Sequence, residues 1–106
     1  MRNINIGLIG YGTVGQGIYK ILYNNSKLYK MMGLNINVPK ICVNNLSKKR
    51  DFIQYSKCEQ PIITNNYNDL IEDKNIDIIV EVIGGINKPY DIFNKTLKNN
   101  KYFITA

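Results

Sequence analysis

At 106 residues, 44% of them hydrophobic, the chain holds one domain or part of one, with a real core but no room for a two-domain enzyme. A formal charge of +6 and a pI near 9.3 favour anionic partners. Nucleic acid, an acidic membrane and a phosphorylated cofactor would all suit it, but the lysines read as scattered over helices and loops rather than as a basic patch, and no recognition motif or aromatic–basic platform accompanies them, so nucleic acid is set aside. Histidine is absent, which removes the commonest general base and metal ligand. No signal-peptide core and no apolar stretch of about 18 residues points to export or to a membrane.

The first apolar run, Ile4–Ile9, predicts a buried strand. It breaks into Gly10-Tyr11-Gly12-Thr13-Val14-Gly15, and a helical pattern follows over Thr13–Asn24, with Val14, Ile18, Ile21 and Leu22 recurring at the spacing of one inward face. Residues 27–33 suggest a further helical turn. A second strand is expected over Ile36–Val43, with Pro39 marking an edge-like start or a bulge, because proline donates no ladder hydrogen bond. A polar loop covers Asn44–Arg50 and a short helix Lys49–Ser56. Pro61–Thr64 reads as a brief third strand, Tyr67–Lys74 as a short helix and Ile76–Ile83 as the clearest buried strand. Asn87, as a cap, and Pro89 open a last helix with Ile92, Phe93 and Leu97 facing inward; Asn99-Asn100 closes it, and Tyr102–Thr105 begins a fifth strand. Cys42 and Cys58 show no metal-ligand spacing and read as reduced thiols of a cytoplasmic protein.

Alternating strands and helices imply an α/β fold, a Rossmann-like, doubly wound, mostly parallel sheet of about five strands over residues 1–106. Strand, glycine turn and helix together read as a dinucleotide-binding unit. Gly10 makes the tight turn, Gly12 lets the backbone approach a pyrophosphate, and Gly15 lets the helix pack close to the strand. The first-turn N–H groups around Thr13 and Val14 and the helix dipole then face the phosphates. Tyr11 either lies against the cofactor or shields the loop. Ligands in such sheets sit outside the carboxyl ends of the strands. Candidate binding residues are therefore Gly10 to Gly15, Asn44 to Arg50, Ile83 to Ile86 with the Gly84-Gly85 pair, and Thr105-Ala106.

The place after the second strand where an NAD site keeps an acid for the ribose reads Val43-Asn44-Asn45-Leu46-Ser47-Lys48-Lys49-Arg50. No carboxylate there repels a 2′-phosphate, and Lys48, Lys49 and Arg50 attract one, so NADP(H) is favoured with NAD(H) possible; a solvated basic turn is the alternative. Glu81, inside an apolar strand, reads as a hydrogen-bonded structural carboxylate rather than a general base.

Gly7-Leu8-Ile9-Gly10-Tyr11-Gly12-Thr13-Val14-Gly15, the Leu46–Arg50 loop, Glu81-Val82-Ile83-Gly84-Gly85-Ile86 and the terminal Phe103-Ile104-Thr105-Ala106 resemble the amino-terminal part of homoserine dehydrogenase. The resemblance covers nearly the whole chain. It implies interconversion of aspartate semialdehyde and homoserine with NAD(P)H, on the route to threonine and methionine, by an enzyme that is typically a homodimer. Two departures stand out. Family members often carry Arg or Lys where this chain has Asn44, which implies either a weaker grip on NADP(H) or a looser choice of cofactor. In the family, Thr-Ala runs on into Asn-Lys, a lysine near the reacting carbonyl, and then into the substrate domain. The chain thus reads as a cofactor half truncated before its catalytic half. It carries no catalytic residue of its own, is expected to be inactive alone, and would meet a small-molecule substrate only with the missing domain. The competing reading is a non-catalytic nucleotide-sensing Rossmann module.

Overall fold

Strands buried on both faces read as continuous apolar runs, and those runs here become the inner strands of one parallel sheet. The computed structural model describes residues 1–47, 60–83 and 88–105. In chain order the elements are β1 (Arg2–Ile9), α1 (Thr13–Asn24), α2 (Ser26–Met31), β2 (Leu34–Cys42), β3 (Ile62–Thr64), α3 (Asn68–Ile71), β4 (Ile78–Glu81), α4 (Lys88–Lys98) and β5 (Tyr102–Thr105). The strands lie in the order β3-β2-β1-β4-β5 and every pairing is parallel. The winding reverses between β1 and β4, the arrangement of the doubly wound α/β class. No helix among the described residues is long and apolar enough to cross a membrane. The expected helix over Lys49–Ser56, Cys58, the cap Asn87 and Ala106 lie outside the described residues.

Side-chain alternation along the strands divides the core between the two faces of the sheet. Ile6, Leu8, Ile41, Val43 and Val80 gather with Tyr11 and Tyr19 from the α1 side. Ile9, Cys42 and Ile79 gather on the other face with Leu70 and Ile71 of α3 and Ile92 of α4.

The inward faces of two helices differ from the expected ones. In α1 the buried residues are Gly15 and Tyr19. Ile18 and Leu22 pack beside them, whereas Val14 and Ile21 are 54% and 57% exposed. The helix sits so close to the sheet that a glycine and a tyrosine one turn apart, rather than a full aliphatic stripe, form its contact row. In α4, Ile92 and Thr96 are fully buried, and the Thr96 hydroxyl is satisfied by donating to the Ile92 carbonyl at 2.6 Å. Leu97 faces solvent, and Phe93 stays partly exposed while meeting Phe103 edge-on at 5.4 Å.

Pro39 sits at both features expected of it. Asn5 pairs with Asn37 and Gly7 with Lys40, so Val38 and Pro39 oppose the single residue Ile6. β3 joins β2 only from Lys40 onward, which leaves the proline on a stretch whose outer side has no strand beside it among the described residues. β4 is shorter than the expected Ile76–Ile83. Its ladder is continued by the Asp77 N–H to the Asn5 carbonyl at 2.8 Å and the Val82 N–H to the Ile9 carbonyl at 2.9 Å. The helical turn suspected over residues 27–33 is α2, and Asn100, at φ 59°, ends α4 in the left-handed conformation that asparagine tolerates.

One lysine escapes the reading of the charge as a solvated surface. Lys101 is 9% exposed and donates from Nζ to the carbonyls of Asp73 (2.5 Å) and Ile76 (2.7 Å), closing the turn that leads into β4. Burial pushes its pKa below the ordinary lysine range. Asp73 is held below the usual carboxylate range, first by the hydrogen bond from Lys40, whose Nζ lies 2.9 Å away. The Lys40–Asp73 bridge therefore contributes stability above the ordinary carboxylate range and loses it as the pH falls through the lowered value. Lys101→Met keeps the stem and strips two carbonyls of a charged donor. It is expected to cost roughly 1–3 kcal/mol in urea unfolding; an unchanged midpoint would show that water replaces the ammonium.

Candidate functional site

Two of the three motif glycines are required by the fold, each for a different physical reason. Gly10 has φ +106°, a conformation that strains a residue with a Cβ. An added Cβ would also fall 2.7 Å from Ile83 Cγ2 and 3.0 Å from the Val82 carbonyl carbon. Its N–H donates to the Cys42 carbonyl at 2.8 Å, tying the turn to the end of β2. At Gly15 a Cβ would come within 2.3 Å of the Gly10 carbonyl oxygen, so α1 approaches the turn backbone to backbone.

Gly12 has neither reason. Its φ is −78°, and a Cβ there would meet no atom of the described residues within 4 Å. It is the N-cap of α1, which has no capping side chain and no acid in its first turn. Its carbonyl accepts the first helical bond, from the Gln16 N–H at 2.9 Å. Backbone donors at such a helix start have no partner within the helix and carry the positive end of its dipole.

The other expected residues arrange themselves around this turn. Thr13 and Val14 are exposed in the first turn of α1. Val14 thus lies at the mouth of the site rather than in the core. The Tyr11 ring is buried edge-on to Tyr19, with centroids 6.0 Å apart. It seals the loop from the core side and leaves main chain to line the turn. Asn44 is exposed just past the end of β2, next to Asn45, whose Oδ1 accepts from the Ser47 N–H and hydroxyl at 3.0 and 2.6 Å. Lys48, Lys49, Arg50, Gly84 and Gly85 lie outside the described residues. Ile83, half-buried, closes over Gly10.

Glu81 is 1% exposed. Its Oε2 accepts the Ile83 N–H and its Oε1 accepts the Thr105 hydroxyl, each at 2.7 Å. The structural carboxylate expected there is present. Its bond to Thr105, 24 residues away, was not foreseen, since only the β4–β5 register brings the two together. The pairing of Tyr67 with Asp91, beneath the Lys95 ammonium, was also missed. No spacing in the sequence signals a contact between α4 and the residue before α3.

An open cleft of about 570 Å³ lies at the opposite end of the strands, lined by residues that include Arg2, Asp77, Lys98 and Tyr102. Ligands of doubly wound sheets bind at the carboxyl ends, beside the strand where the order reverses. The glycine turn, not the cleft, stands at that point, between the ends of β1 and β4.

Parallel sheet, reversal point and uncapped glycine turn together define a Rossmann-type nucleotide-binding domain. A family model described as the NAD binding domain of homoserine dehydrogenase matches residues 10–106, and the chain belongs to this family. The homoserine dehydrogenase of Helicobacter pylori is 38% identical over 107 residues, a match covering 99% of this chain and 24% of that protein. The Bacillus subtilis enzyme is 33% identical, covering 100% of this chain and 24% of its own length. A crystal structure of S. aureus homoserine dehydrogenase at pH 7.0 superposes with a TM-score of 0.89 at 38% identity, covering 100% of this chain and 26% of that one. The chain spans about a quarter of the length of the curated relatives it matches.

Proposed function

We propose that this chain is the cofactor-binding segment of a homoserine dehydrogenase. In this reading it holds a nicotinamide dinucleotide across the carboxyl ends of its strands, with the pyrophosphate against Gly12 and the start of α1. The observation that carries the reading is the open space at Gly12. A glycine that neither its φ nor any neighbouring atom of the described residues requires is explained by a ligand approaching the backbone there. In the reaction the family name implies, the bound cofactor supplies or takes up the hydride. The groups that hold aspartate semialdehyde or homoserine come from the remainder of a protein about four times as long as this segment.

NADP(H) is the favoured cofactor. The described residues after β2 include no carboxylate as far as Ser47, and Lys48, Lys49 and Arg50 follow in sequence. Calorimetric titration should find NADPH bound at least as tightly as NADH at low ionic strength, with the difference shrinking as salt screens the 2′-phosphate. Neutralising the three basic residues together should also narrow it. A preference for NADH untouched by either change would contradict the assignment of an adenosine-phosphate site to this loop.

A further inference from the structure

We propose that Glu81 is a positioning residue for the nicotinamide half of the dinucleotide, a role that rests on the binding mode proposed above. A doubly wound sheet is two mononucleotide-binding halves meeting at the reversal of strand order. Here β1, β2 and β3 form one half, and the adenosine ribose belongs with it because its usual acidic partner follows β2. β4 and β5 belong to the other half, so their carboxyl ends underlie the nicotinamide riboside.

The Glu81 carboxylate fastens those two ends together. One oxygen holds the Ile83 N–H of the turn leaving β4, and the other holds the hydroxyl of Thr105, its register partner at the end of β5. The junction between β4 and the glycine turn has its own main-chain tie, the Val82 N–H on the Ile9 carbonyl. To that tie the carboxylate adds a link from the turn leaving β4 to the end of β5. An acid in an apolar strand at 1% exposure carries a desolvation cost that a leucine of similar size does not. Two directed hydrogen bonds to separate segments are what the leucine fails to supply.

The two halves of the cofactor separate this role from a general structural one. The parent chain, Glu81→Leu, Glu81→Gln and Thr105→Val are titrated calorimetrically with NADPH and with 2′,5′-ADP, which carries only the adenosine half. Glu81→Leu should weaken NADPH about tenfold and leave 2′,5′-ADP within about twofold of the parent. Glu81→Gln should restore NADPH, because its amide oxygen accepts from Ile83 and its amide nitrogen donates to the Thr105 hydroxyl. Thr105→Val, which leaves the acid in place and changes one edge-strand side chain, should shift NADPH in the same direction as Glu81→Leu by a smaller factor; it decides the matter if the leucine variant does not fold. Equal losses for both ligands, or an unchanged NADPH affinity in Glu81→Leu and Thr105→Val, would overturn the role of Glu81 while leaving the binding site standing. A parent chain that binds neither ligand would overturn the site and this role together.

Discussion

Gly15→Ala is expected to unfold about 10 °C below the parent chain, from an overpacking cost of about 1–3 kcal/mol in a domain of this size. The new methyl carbon would stand 2.3 Å from the Gly10 carbonyl oxygen, a backbone atom in a turn with no side chain to swing aside. Either α1 moves off the sheet or the turn opens. Gly17→Ala, two residues along the same helix, is the internal control. Its Cβ meets nothing within 4 Å, and replacing a helical glycine by alanine should stabilise by roughly 0.5–1 kcal/mol. Opposite signs at Gly15 and Gly17 in a thermal melt would establish the close packing of α1. Equal small effects would show that the helix stands farther from β1.

The sheet was legible because its inner strands are buried toward their carboxyl ends and declare themselves as apolar runs between turn residues. Ile78–Glu81 and the end of β1 needed no more than that. Pro39 was legible for a related reason: a residue without an N–H has few places in a sheet, and the bulge beside an unpartnered stretch is one of them. Helix faces were not legible to the same degree. Counting aliphatic residues selected Val14, Ile21 and Leu97, which face solvent, and passed over Tyr19 and Thr96, which are buried; only Gly15 was legible, through the glycine motif. Close helix–sheet packing rewards small or hydrogen-bonded residues that hydropathy alone does not rank as core.

The polar ties were the least legible. Lys101 bonds to carbonyls 28 and 25 residues earlier, and Glu81 meets Thr105 through strand register. Both depend on knowing which strands are neighbours, which no local pattern states. The candidate site stood out for the opposite reason. Its three glycines fall within one six-residue stretch, Gly10 to Gly15, and act on one turn, so the chemistry of the place is written locally.

The second large effect falls on binding alone. Gly12→Val places a branched side chain in space that the described residues leave empty, at an N-cap where the cost to the fold is limited to about 1 kcal/mol. The same side chain would occupy the approach to the first-turn N–H groups of α1. Dinucleotide affinity should therefore fall about a hundredfold, or ~2.7 kcal/mol. The deciding measurement is a calorimetric titration of NADPH into the parent chain and into Gly12→Val, with circular dichroism melts of both. Tight binding by the parent, loss of binding by the variant and closely similar melts are the predicted result; equal NADPH affinity in two equally folded proteins would contradict the placement of the cofactor at the glycine turn.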